Sequence, residues 1–395
     1  MFIRKGYILL FSVIGVSGLL IFAIYSPIFL SSIENIEIEL EFNRDNAYDY
    51  VKDQVEIGDR IPGTQAREDC AQYFIDHFQS IDPNYEYYLH NFTVEGTECQ
   101  NVLFKLNSNE EHIVILGAHY DSRARATKDD EGSKWDDPVP GANDGASGCG
   151  VLLELANAFH TRKDDLDVQL WFLFFDAEDQ GVDNSYGIEN WGWIEGSTEF
   201  ANDIEDFYDK NQESIDSMIL LDMVGGPNLK FINEGHSRSS LLDEIFEIGR
   251  QLGYTEEFPL NPISESITDD HVPFANIGIP TADLIINFWN NLDWPYHHTT
   301  EDNMDHISRN SLKATGETVE QFIYNNYYNA TDEEYQGNFP YEEDINIPPT
   351  EIIIFIISVI GIIGISVIAI YLIRNRNLKR ILEEEKGKND EISER

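Results

Sequence analysis

Ile113-Val-Ile-Leu-Gly-Ala-His119-Tyr-Asp121 is the stretch on which the fold turns. An apolar run rich in β-branched residues that stops abruptly at two metal-binding side chains has the character of a buried parallel strand with chemistry at its carboxyl end. Two more runs repeat the arrangement: residues 168–175 precede Asp179, and residues 218–221 end at Asp222. Helical patterns over 66–78 and 150–160, and further strand patterns over 85–92 and 101–106, accompany these runs. The fold class this predicts is α/β, a single mixed, mostly parallel central sheet flanked by helices. In open sheets of this kind, ligands and catalytic groups gather outside the carboxyl ends of the strands. One Asp or His after a strand is more often a cap or a solvated surface group. Five in order, His119, Asp144, Asp179, Asp222 and His298, instead outline a zinc site. Imidazole and carboxylate suit that ion, and a carboxylate's spare lone pairs let one aspartate bridge two ions.

The chain has 395 residues and is 42% hydrophobic, ample for one α/β body of ~300 residues with segments to spare. Residues 7–30 form an apolar stretch preceded by Arg4 and Lys5, and residues 352–373 form another followed by Arg374, Arg376, Lys379 and Arg380. At ~1.5 Å per residue, each is long enough to cross a hydrocarbon layer of ~30 Å as a transmembrane helix. The flanking basic residues predict a cell-membrane protein with both termini cytoplasmic and the catalytic domain extracytoplasmic. A cleaved leader ending near Ser31-Ser32 is the alternative for the first stretch. The expected division is an anchor over 1–33, the body over 34–331, an acidic membrane-proximal linker over 332–351, a second transmembrane helix over 352–373 and a charged tail over 374–395. Residues 33–46 read as an acidic stalk leading into the body.

Between residues 31 and 351 there are 17 Lys and Arg against 66 Asp and Glu. Such a surface repels nucleic acid and anionic lipid, so no nucleic-acid partner is expected. Solvation or salt adaptation explains the excess, with attraction of cationic peptide amino termini as the functional alternative. The three cysteines, Cys70, Cys99 and Cys149, make no zinc ribbon. A location outside the cytoplasm permits a disulfide, with Cys70 and Cys99 the expected pair and three buried free thiols the alternative. Asn91-Phe-Thr93 and Asn329-Ala-Thr331 are glycosylation sequons, a pattern also frequent by chance. Residues 123–140, polar and proline-containing, read as a loop over the site.

Six segments together resemble a known family: Gly117-Ala-His-Tyr-Asp-Ser122, Gly141-Ala-Asn-Asp-Gly-Ala-Ser147, Asp176-Ala-Glu-Asp179, Leu221-Asp-Met223, Asp269-Asp-His-Val-Pro-Phe274 and His298-Thr-Thr-Glu-Asp-Asn303. In this order they are similar to the zinc aminopeptidases that share a fold with animal-type glutaminyl cyclases. The resemblance implies one or two zinc ions: Asp144 bridges, Asp179 and His298 complete one site, and His119 and Asp222 complete the other. It also implies a substrate with a free amino terminus, a peptide or protein. Asp121, two residues beyond His119, is placed to accept the imidazole's second N–H, with a strand-end cap as its alternative. Glu178 would act as general base toward water in hydrolysis, the first expectation, or as proton shuttle in the cyclisation of an amino-terminal glutamine. Asp179, where aminopeptidases usually carry Glu, and Asp269, where they often carry Ser, resemble the cyclase branch. That branch holds a single zinc and links the Asp269 carboxylate to Asp222. A non-catalytic ectodomain of the same fold is the third possibility. Of the aromatic residues Trp191, Trp193, Phe288, Trp289, Trp294 and Tyr296, the last two are expected to line the substrate pocket because they adjoin His298 in sequence. The alternative for each is ordinary core. Oligomeric state is left open.

Overall fold

The computed structural model describes residues 35–182, 187–288, 294–328 and 371–376. After an extended entry segment come helices α1 (Arg44–Ile57) and α2 (Gln65–Ile81), and then a hairpin of strands β1 (Glu86–Val94) and β2 (Thr97–Leu106). Strand β3 (His112–His119) leads through a long loop to α3 (Ala146–Thr161) and back to β4 (Gln169–Phe175). Helix α4 (Glu195–Asp203), β5 (Ser214–Asp222), the short β6 (Asn233–Glu234), α5 (Ser239–Gln251) and the short β7 (Ser264–Glu265) follow. Helix α6 (Val272–Asn276), β8 (Thr281–Ile285) and α7 (Arg309–Tyr327) complete the body.

The main sheet has the order β1-β2-β4-β3-β5-β8. The β1/β2 and β2/β4 pairings are antiparallel, while β4/β3, β3/β5 and β5/β8 are parallel, so the sheet is mixed and mostly parallel as expected. Alternate residues of the central strands enter two cores. Val114, Leu116, Phe172, Phe174, Ile219 and Leu221 face the side covered by α2, α3, α5 and α7. Ile115, Trp171, Leu173, Phe175 and Leu220 face the side covered by α4 and α6. Burial on both faces is why these strands read as continuous apolar runs and not as alternating ones.

Helix α3 begins four residues before the pattern at 150 suggested, directly after the Asp144-Gly145 turn. Gly148 and Gly150 lower helix propensity, yet the packing requires them. A Cβ at Gly148 would lie 2.0 Å from the Leu221 carbonyl oxygen, and one at Gly150 would lie 2.6 Å from Val51 Cγ2. The helix that follows Asp144 thereby rests directly on the strand carrying Asp222.

Two expectations are corrected. Residues 36–42 are not a stalk: the Ile36 N–H donates to Asn325 Oδ1 at 3.0 Å, those of Glu41 and Phe42 donate to the Glu320 carboxylate, and the Phe42 ring packs over Gly316 of α7. Acidic composition suggested solvation, but a few acceptors on α7 and one buried ring tie the segment down. All three cysteines are free and buried. Cys70 belongs to the large core, whereas Cys99 sits in a separate small cluster with Phe92, Val94 and Trp191, its thiol donating to the Thr97 carbonyl at 3.6 Å. Burial pushes both thiols up to about 12. Asn91 is exposed on β1, and Asn329 lies outside the described residues. Among the described residues no helix is long and apolar enough to cross a membrane. Residues 7–30 and all but the end of 352–373 lie outside them, and residues 371–376 are helical.

Candidate active site and metal centre

Strands β3, β4 and β5 lie side by side and end together, so His119, the turn Asp176–Asp179 and Asp222 reach one edge of the sheet. Asp144 arrives from the turn before α3, and His298 from the segment before α7. All five are buried. Asp144 stands between the two histidines: its Oδ1 is 3.1 Å from His119 Nε2, and its Oδ2 is 3.8 Å from His298 Nε2. Asp222 Oδ1 lies 3.4 Å from His119 Nε2, and Asp179 Oδ1 lies 2.9 Å from His298 Nε2. The structure thus brings all five sequence-predicted ligands together in two groups that share Asp144.

These donors fit a divalent ion. His119 Nε2, Asp144 Oδ2, Asp179 Oδ2 and Asp222 Oδ1 are buried without a hydrogen-bond partner, a costly state for polar atoms unless a cation draws on their lone pairs. Burial opposes a charge on His119, but the neighbouring carboxylates of Asp121, Asp144 and Asp222 outweigh it and raise its pKa well above the imidazole range. The carboxylates that favour a proton there equally favour a metal ion. Burial and the nearby Arg123 hold His298 well below that range, neutral and ready to ligate.

A second layer fixes the first. The buried Asp121 carboxylate accepts the N–H groups of Glu178 at 3.0 Å and Asp179 at 3.2 Å, Gln180 Nε2 at 2.8 Å, and lies 3.4 Å from His119 Nδ1. It orients the imidazole as expected, and it also anchors the whole Glu178–Gln180 strap. Arg123, buried, donates to the Asp179 carbonyl at 2.7 Å and to its carboxylate at 3.3 Å, with its guanidinium 4.8 Å from the Trp193 ring. Asp302 receives the backbone N–H groups of Asn143 and Asp144 on its two oxygens, at 2.8 and 3.0 Å. Its motif position was visible in the sequence, but not this role. Ala177, Met223 and His298, each beside or among the site residues, have φ of 61°, 48° and 58°, a left-handed conformation that non-glycine residues seldom take.

The donors open into a cleft of about 490 Å³. Glu178 and Asp269 are both in its wall, together with Lys128, Trp193, Phe288 and His297. Burial pushes Glu178 well above the carboxylate range against the pull of His119, and Asp179, Asp270 and Asp269 push it further. Burial and Asp222 raise Asp269 to about 7. Asp269 is not turned to solvent, and its carboxyl lies close to the Asp283 carboxyl and the His271 ring. The Trp294 and Tyr296 expectation is corrected. Trp294 is buried over Gly226, and Tyr296 stacks on His306 at 3.7 Å. Trp193, parallel to the His298 ring at 5.8 Å, and Phe288 are the aromatic walls instead. Trp191 is core, and Trp289 lies outside the described residues.

Comparison with known proteins agrees with this geometry. A glutaminyl cyclase structure from Bacteroides thetaiotaomicron is 32% identical, with a TM-score of 0.66 over 73% of this chain and 99% of that one. A Zn-dependent exopeptidase from Parabacteroides distasonis is 32% identical, with a TM-score of 0.64 over 72% and 98%. A leucine aminopeptidase precursor from Bacteroides thetaiotaomicron is 31% identical, with a TM-score of 0.66 over 73% and 99%. The fold is therefore one shared by zinc exopeptidases and glutaminyl cyclases, and zinc is the metal it implies. The sequence description of peptidase family M28 matches residues 101–323, from β2 through most of α7, and the chain belongs to that family.

Proposed function

We propose that this protein is a zinc-dependent glutaminyl-peptide cyclase acting on peptides with a free amino-terminal glutamine. The observation that carries the reading is the pair of buried carboxyl groups, Glu178 and Asp269, in the wall of the cleft that holds the metal donors. Asp144, Asp179 and His298 would hold a zinc ion that supplies Lewis acidity toward the side-chain carbonyl. In the reaction the α-amine nitrogen bonds to the side-chain carbonyl carbon, and the bond from that carbon to the amide nitrogen breaks. Glu178 takes the proton from the amine and returns it to the departing nitrogen, which leaves as ammonia. Asp269, with its pKa near neutrality, offers a hydrogen-bonding carboxyl beside that nitrogen. Trp193 and Phe288 supply apolar wall beside the metal donors.

Amino-terminal hydrolysis is the second reading, and the complete His119, Asp144 and Asp222 group favours it because a second ion would find all its donors there. The full-length protein in detergent, loaded with zinc, is expected to release ammonia from a Gln-peptide and no free amino acid from aminoacyl chromogenic substrates. A chelator should abolish the reaction, and Glu178→Gln should lower turnover about 10²–10⁴-fold with metal retained. Amino-acid release without ammonia would establish the hydrolase, and neither product would leave a binding ectodomain. The proposal includes the setting expected from residues 7–30 and 352–373, an anchored enzyme with its body outside the cytoplasm, testable by protease protection of terminal tags in intact cells.

A further inference from the structure

His297 precedes the ligand His298, lines the same cleft, and lies close enough to Asp144 and His298 to join them around an ion, but a contact on its other ring nitrogen points to a different role. Its Nδ1 lies 3.0 Å from Lys128 Nζ. A lysine ammonium has only donors, so Nδ1 accepts, and the ring then carries its proton on Nε2. The Nε2–H is 3.8 Å from Asp144 Oδ2, too far for a hydrogen bond, so the nearest carboxylate does not consume the donor. The ring is held edge-on to Phe288 at 4.5 Å and against His298 at 3.6 Å, which fixes its direction. Lys128 is itself placed by the site: its backbone N–H donates to the His298 carbonyl at 3.0 Å.

We propose that His297 is a catalytic residue whose Nε2–H, set by Lys128, donates to the substrate carbonyl oxygen as negative charge develops there. The inference rests on the cleft being the peptide amino-terminal site, and it serves cyclisation and hydrolysis alike, since both place charge on a carbonyl oxygen beside Asp144. A neutral imidazole held in a fixed direction supplies this stabilisation without giving up its proton.

The test uses full-length protein in detergent, with ¹⁵N-labelled histidine for NMR and the preferred peptide substrate for kinetics. The His297 signals, identified by their loss in His297→Gln, should show a proton on Nε2 and a bare Nδ1. His297→Phe should lower kcat by about 10²–10³-fold with the zinc content of the wild type, whereas His297→Gln, which keeps an N–H, should recover much of the loss. Lys128→Met should lower kcat while KM changes little. Zinc loss in His297→Phe would make the residue a ligand and overturn the proposal, as would wild-type kcat in that variant or a proton on Nδ1. If the wild type acts on no amino-terminal substrate, the reading of the cleft fails, while the tautomer measurement still decides whether His297 presents a donor.

Discussion

Replacing Asp121 by asparagine tests how far one buried carboxylate organises the site. Its Oδ1 serves the Glu178 N–H and faces His119 Nδ1, while its Oδ2 serves the Asp179 N–H and Gln180 Nε2. An asparagine keeps one oxygen, so whichever way the amide turns, two donors face an NH₂ group. A buried donor without a partner costs about 1–3 kcal/mol. Two give about 2–6 kcal/mol, and with some relaxation of the Glu178–Gln180 strap we expect about 2–4 kcal/mol of lost stability. The His119 ring also loses the acceptor that fixes its tautomer, which should weaken zinc binding about 10–100-fold. Urea unfolding of the zinc-free and zinc-loaded protein, followed by tryptophan fluorescence, measures the first effect, and competition with a chromophoric chelator measures the second. An Asp121→Asn protein with the wild-type midpoint and wild-type zinc affinity would refute the reasoning.

Gly148→Ala puts a Cβ 2.0 Å from the Leu221 carbonyl oxygen, so α3 must move off β5. We expect a loss of at least about 1–3 kcal/mol in urea unfolding together with weaker zinc binding, since Asp144 and Asp222 move apart. Glu234→Gln removes an ionised buried carboxylate: burial works against its charge, but His271 and the N–H groups of Ile267 and Ser237 hold it at about 2. A depressed carboxylate contributes stability above its unfolded value near 4.5 and loses it as pH falls toward 2. The wild type should therefore exceed the variant by about 2–3 kcal/mol at pH 6, after an allowance for screening, with the gap closing below pH 4.5 in unfolding measured across that range.

The five metal-binding positions were legible because each follows an apolar run or stands in a short motif, and the same runs marked β3, β4 and β5 as buried parallel strands. The aromatic and basic parts of the cleft wall were not legible. Trp294 and Tyr296 are near His298 along the chain, but His298 takes a left-handed turn and Trp294 is directed back over Gly226. Trp193 and Lys128 come instead from loops distant in sequence, and only the folded chain sets them beside His298. The cysteine pairing failed for a related reason, since spacing carries no information about which core each thiol faces. Arg123 was hidden inside a loop whose composition reads as solvent-exposed, because it is held in part by the Asp179 and Gly181 backbone carbonyls, which no side-chain pattern announces.

Ala177 and Met223, just beyond β4 and β5, and His298, in a turn, share a left-handed backbone. Each departs from the conformation its own residue type favours, at a cost of order 1–3 kcal/mol. Only the tightly packed strands behind them keep them there. The consequence is preorganisation. Folding of the two cores meets that cost, and an arriving ion does not have to. Metal affinity should then reflect the ion's chemistry with donors already aimed, in contrast to small zinc domains whose binding energy is spent on folding the chain. Removing the ion should accordingly leave the shape of the body unchanged.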